Sequence, residues 1–136
     1  MQLLSELGAF QGLREAATAG AEVPAASAAL LLALHAVHYL DCGLNMPGAY
    51  LTDPLAIRRL GHWCRAHDFR LFLHGTPRQW GDASRPWIHV EKDRFMELCL
   101  REGVSVCERL HFAGCPPSLY QHFSVISDFC AEPACD

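Results

Sequence analysis

Val104 to Phe129 reads VSVCERLHFAGCPPSLYQHFSVISDF, and this stretch decides the fold. Val104 to Phe112 opens on β-branched residues in an apolar context, which predicts a strand. Gly114, Cys115, Pro116 and Pro117 then force a turn, because proline cannot continue a ladder and glycine supplies the backbone freedom a reversal needs. From about Ser118 or Tyr120 to Phe129, apolar residues return at helical spacing and predict an amphipathic helix. The loop carries His122 toward that helix. A buried strand, a polar loop and a helix make one unit of an alternating α/β chain.

Working outward, the same unit recurs twice upstream. Phe69 to Leu73 (FRLFL) predicts a short buried strand, and His74 to Asp82 (HGTPRQWGD) a loop rich in polar groups and breakers. Trp87 to Val90 leads into a helix over Glu91 to Glu102, with Phe95, Met96, Leu98 and Cys99 inward and Gly103 as its stop signal. Further back, a strand ends near Leu40, so that Asp41 stands where strand meets loop, and Cys42 to Thr52 is turn-rich. Asp53 before Pro54 starts a helix that runs to about His67, with Leu55, Leu60, Trp63 and Cys64 as its apolar stripe.

At the chain ends, Leu3, Leu4 and Leu7 predict a helix over Met1 to Phe10, Gln11 to Pro24 reads as a linker, and residues 131–136 as a frayed tail. Ala25 to Ala36 (AASAALLLALHA) is a dozen-residue apolar run that gives way to the first strand; a spanning helix needs ~20 such residues, so it predicts no membrane span. Three strand–helix units predict an α/β fold, a parallel sheet with flanking helices in three α/β/α layers, as a single partial domain over 1–136. Three strands are about half of a typical sheet of this kind. An open sheet edge is therefore expected, available to a protein partner or to a second copy as a homo-oligomer.

Composition narrows the function classes. A net charge of -4 with 11 Lys and Arg against 15 Asp and Glu offers no basic patch for nucleic acid. Seven cysteines, at 42, 64, 99, 107, 115, 130 and 135, form no disulfide-scaffold spacing and predict reduced thiols in an intracellular protein. There is no Cys-x-x-Cys, and His62, Cys64 and His67 fall on different faces of one helix, so no metal and no cofactor is expected.

The motifs HYLDCG, YLTDP, HGTPRQWGD, RPWIHVEKDRF, LREGVSVCERLHF and QHFSV, in this order and spacing, resemble the family of the mitochondrial protein named after chromosome two open reading frame sixty-nine. The resemblance covers about Met1 to Phe129 and corresponds to the C-terminal third of a family member. It implies an α/β-hydrolase-like fold, a serine-hydrolase triad and mitochondrial residence. Such a triad runs Ser, acid, His along the chain. The resemblance places Asp41 of LDCG and Asp82 at acidic positions after strands and His122 at the terminal histidine. The family's nucleophile elbow lies just upstream of the segment that MQLLSEL resembles, and Leu44 stands where the family carries a histidine.

Asp41 and His122 are accordingly the expected acid and general base, with Asp82 as the second candidate acid. A hydrolase acid usually follows the next-to-last strand, yet no carboxylate stands near Arg78, which points one strand earlier, to Asp41. Ser5 sits mid-helix without the small residues that force a nucleophile into an exposed turn, so this chain alone is expected to be inactive. His74, Thr76 and Gln79, in the loop at a strand's carboxyl end, are candidate substrate-binding residues, against the alternatives of a His74 satisfied by backbone groups and of Thr76 and Gln79 stabilising the turn. Arg85, Trp87 and Glu91 are expected to hold a loop against the following helix. A non-catalytic scaffold that binds through its sheet edge is the reading from another class.

Overall fold

The structure is a computed structural model, and it describes residues 33–129. The expected N-terminal helix, the linker, most of the Ala25 to Ala36 run and the tail at 131–136 lie outside the described residues. Within them the chain runs β1 (Ala36–Leu40), α1 (Pro54–Ala66), β2 (Arg70–Gly75), α2 (Pro77–Trp80), α3 (Trp87–Arg101), β3 (Ser105–Leu110) and α4 (Leu119–Asp128). The strands form one parallel sheet in the order β1-β2-β3. Leu40 pairs with His74, and His74 with Arg109, so the carboxyl ends of all three strands finish at one level. Among the described residues β1 and β3 stand at the edges.

Local chemistry sets the element ends. Asp53 caps α1 by accepting the N–H groups of Leu55 and Ala56, and Pro54 occupies the first turn, where its missing N–H is no loss. Thr76 and Pro77 repeat that signature, which is why the expected His74 to Asp82 loop instead contains the short helix α2, and why β2 reaches Gly75 rather than stopping at Leu73. Pro86 starts α3 at Trp87, four residues ahead of the expected start. Ser118 and Gln121 form a reciprocal capping box at α4. His122 therefore stands in the first turn and a half of a helix, not on the loop before it.

Strand alternation sends the sheet's two faces to different environments. Tyr39, Leu71, Leu73 and Val104 meet Ile57, Leu60 and Trp63 of α1 and Ile88, Phe95, Leu98 and Cys99 of α3 in one apolar core. Residues 57, 60 and 63 share one face of α1, while Leu55, expected inward, lies about 200° around the helix from Ile57 and is exposed. Gly61 lets α1 approach the end of α3, since a side chain there would collide with the Glu102 backbone carbonyl. The opposite face carries His38, Phe72 and His74, and Phe129 at the end of α4 packs against both His38 and His74.

One buried cation escaped the sequence reading. Lys92 of α3 is 5% exposed, reaches Glu108 at 2.6 Å and Asp93 at 2.7 Å, and lies over the Trp80 ring. Burial works against its charge, and the two carboxylates outweigh that, so its pKa ends above the usual lysine value. Among the described residues, Cys42, Cys64, Cys99 and Cys115 are free thiols.

Candidate functional site

At the carboxyl edge of the sheet, Asp41 directly follows β1 and has a left-handed backbone with φ of 47°. Aspartate tolerates this region better than most residues, and the conformation turns its carboxylate sideways across the end of β2. The backbone N–H of Asp41 donates to the carbonyl of His74 at 2.7 Å, which extends the ladder by one bond. Its side chain is fully buried. A buried carboxylate needs donors to replace water, and Asp41 has three. Thr76 donates its backbone N–H to Oδ1 at 2.7 Å and its hydroxyl to Oδ2 at 3.0 Å, and His122 places Nδ1 2.7 Å from Oδ2.

His122 reaches Asp41 from 81 residues away in sequence and keeps 33% of its side chain exposed. With Nδ1–H donated to the carboxylate, the other ring nitrogen, Nε2, holds the lone pair. Nε2 has no hydrogen-bond partner among the described residues. An imidazole fixed in this tautomer by a buried carboxylate can accept a proton at Nε2 and return it, which is the acid–base half of a nucleophilic site.

Asp82 is not brought into this pair. Its Oδ1 accepts from the Ser84 hydroxyl at 2.6 Å and backbone N–H at 2.9 Å, and its Oδ2 from Arg85 Nε at 2.8 Å. The Ser84 hydroxyl, together with Arg85, holds the Asp82 carboxyl down at about 2. It closes the turn before α3. Arg85 also donates to Gln79 Oε1 at 3.2 Å, and Gln79 is buried against Gly43, where a side chain would collide with its amide. Gln79 thus braces the loop after β1. Thr76 is fully buried on Asp41. Of the expected loop-holding trio, Trp87 Nε1 donates to the Leu44 carbonyl and Glu91 accepts the N–H groups of Gly48 and Ala49, while Arg85 goes to Asp82 instead. A cavity of about 300 Å³ opens beside Asp41, lined by Cys42, Gly43, Leu44, Gly48 and Ala49.

His74 is 1% exposed and is the centre of a row of three imidazoles that sequence reasoning did not assemble. Its Nε2 lies 3.1 Å from His38 Nδ1, and its Nδ1 lies 2.9 Å from His111 Nε2. Each neutral imidazole supplies one donor and one acceptor, so the row is satisfied only when its tautomers point the same way. Burial, then His111, His38 and Arg109, push the His74 pKa down to about 4, and burial lowers His111 as well. Strand alternation puts His38 and Leu40 on one face. The sheet register that sets them beside His74 has no local sequence signal. Among the described residues no group of three or more His, Cys, Asp or Glu is placed to hold a metal ion, and no helix is long and apolar enough to cross a membrane.

The chain is similar to two curated proteins that share one description. The mitochondrial protein C2orf69 homolog of Danio rerio is 31% identical over 97 residues, which are 69% of this chain and 27% of that protein. The mitochondrial protein C2orf69 homolog of Mus musculus is 38% identical over 52 residues, 38% of this chain and 14% of that protein. The matches thus span about a quarter of the length of the first and about a seventh of the second. No family model matches the chain, and no solved structure does.

Proposed function

We propose that this chain is the C-terminal part of a serine-hydrolase-like protein, in which Asp41 and His122 are the acid and the general base of a triad whose serine lies upstream. The observation that carries the reading is the 2.7 Å contact between His122 Nδ1 and the buried Asp41 Oδ2 at the carboxyl edge of a parallel sheet. Two sequence-distant groups meet there at hydrogen-bond distance, and acyl transfer by a triad needs an imidazole held by a carboxylate in this way. His122 Nε2 takes the serine hydroxyl proton as the oxygen attacks the acyl carbon, and then gives it to the leaving group. Asp41 keeps the imidazole in the Nδ1–H tautomer and stabilises the imidazolium. The acid follows the third-last strand, and the end of β2, where such an acid usually stands, contributes Thr76. The fold is then the C-terminal part of an α/β-hydrolase-like sheet, and the names of its relatives favour residence in mitochondria.

The test is covalent labelling of the full-length gene product with a fluorophosphonate probe. Labelling that is lost in His122→Ala and Asp41→Asn and kept in Asp82→Asn is the expected result. Full labelling of the His122→Ala protein overturns the triad.

A second reading, a non-catalytic half-domain that binds a partner or a second copy, has its own observation. Leu119, Tyr120, Phe123 and Ile126 leave an apolar stripe exposed on α4, and solvent-facing stripes of this kind mark contact surfaces. Sedimentation of the chain tests its self-association form: a dimer is expected, and a strict monomer removes binding to a second copy.

A further inference from the structure

We propose that Thr76 is the positioning residue that sets the basicity of His122 by sharing the charge of Asp41; the inference rests on the dyad described above. Thr76 follows β2 directly, is fully buried, and faces Asp41 with two donors at once. Its N–H takes Oδ1 at 2.7 Å and its hydroxyl takes Oδ2 at 3.0 Å, the same oxygen that His122 Nδ1 approaches at 2.7 Å.

The hydroxyl has little freedom to do anything else. Its oxygen accepts the Gln79 N–H at 3.3 Å as the cap of α2, which directs the hydroxyl proton away from the helix and onto Asp41. Oδ2 therefore divides its negative charge between a neutral hydroxyl and the imidazole. Hydrogen bonds to a carboxylate stabilise its charge and weaken its pull on any other donor. Removing the hydroxyl while keeping the backbone N–H leaves the carboxylate in place on Oδ1 and concentrates Oδ2 on His122. A methyl group in its place also dries the carboxylate, which acts in the same direction. Both effects favour the imidazolium, so the sign of the change is fixed by the geometry.

The experiment is an NMR titration of the His122 ring in the full chain, as wild type, Thr76→Val and Thr76→Ser. Thr76→Val is expected to raise the His122 pKa by about half a unit or more, with Thr76→Ser returning it to the wild-type value because serine keeps the hydroxyl. A merely structural Thr76 would leave the midpoint unmoved, or would be mimicked equally badly by serine; either result overturns the proposal. Should Thr76→Val fail to fold, the wild-type protein still decides. A slowly exchanging Thr76 hydroxyl proton whose shift follows the His122 titration is expected, and a hydroxyl proton that exchanges freely or ignores that titration refutes the charge sharing. Fluorophosphonate labelling is a separate readout. Its absence would dismiss the hydrolase reading and leave the Thr76–Asp41–His122 coupling measured.

Discussion

Acidification from pH 7 to pH 4 should remove a large part of this protein's stability, and the His38–His74–His111 row says how much. In the unfolded chain the His74 imidazole titrates near its ordinary 6.5, and in the folded protein burial and the adjacent histidines hold it at about 4. Above pH 7 both states are neutral and the group contributes nothing to the pH dependence. As pH falls below 6.5 the unfolded state takes up the proton first, so stability declines, and the decline ends once the folded state also binds it near pH 4. At 1.36 kcal/mol per pH unit of difference, the loss is about 2 kcal/mol by pH 5 and about 3 kcal/mol at pH 4. Single domains hold roughly 5–15 kcal/mol in all, so this is a substantial fraction. His111, shifted the same way, adds to it. Asp82 does not confuse the window, because its depressed carboxyl releases its contribution only between about pH 4 and pH 2. Urea unfolding followed by circular dichroism at pH 7, 6, 5 and 4 measures the slope. The His74→Asn protein should be weaker at pH 7 by about 1–3 kcal/mol for its broken row, and flatter between pH 6.5 and pH 4. Wild-type stability at pH 4 within about 1 kcal/mol of that at pH 7, or an undiminished slope in His74→Asn, refutes the reasoning.

Three further outcomes are expected. Asp41→Asn in the full-length protein should slow probe labelling by about 10⁴-fold, as loss of the tautomer-fixing carboxylate does in a triad, while Asp82→Asn leaves the rate within a factor of two or so of wild type; rates of labelling check both. Gly75→Ala should lower the urea-derived stability by about 1–3 kcal/mol, because a Cβ at that position runs into the Trp80 ring. Glu91→Ala should speed amide exchange at Gly48 and Ala49 by about tenfold, since each loses a charge-assisted bond to the carboxylate; unchanged exchange at both would dismiss the clamp.

The alternation of strand and helix was legible because each element carried its own local chemistry. Asp53 and Pro54 announced α1, Gly103 ended the helix before β3, and the apolar FRLFL run marked a strand buried on both faces. The Thr76-Pro77 pair held the same capping signal as Asp53-Pro54, and α2 was missed because its four residues lack the periodicity by which longer helices are read. Asp41 and His122 were legible as individuals, from their places after a strand and near a helix start. Their meeting depends on a left-handed turn at Asp41 and on the placement of α4, which no local pattern encodes. The row of histidines, the buried Lys92 and the contacts of Thr76 with Asp41 and of Gln79 with Arg85 depend on register between strands and on packing between helices. These are long-range properties, and propensity and spacing do not report them.

The 81 residues that separate Asp41 from His122 also have a meaning in time. Ribosomes add roughly 5–20 residues per second, so about 4 to 16 seconds pass between the synthesis of Asp41 and that of His122. Thr76 follows Asp41 by 35 residues, so in the later part of that interval β1 and β2 can pair and Thr76 can already seat the Asp41 carboxylate, while the imidazole does not yet exist. The Asp41 carboxylate is thus seated before His122 is made, and the hydrogen bond between them forms only when α4, the last helix of the described residues, docks. A nascent or truncated chain holds no Asp41–His122 contact, and the pair records that synthesis has run to α4.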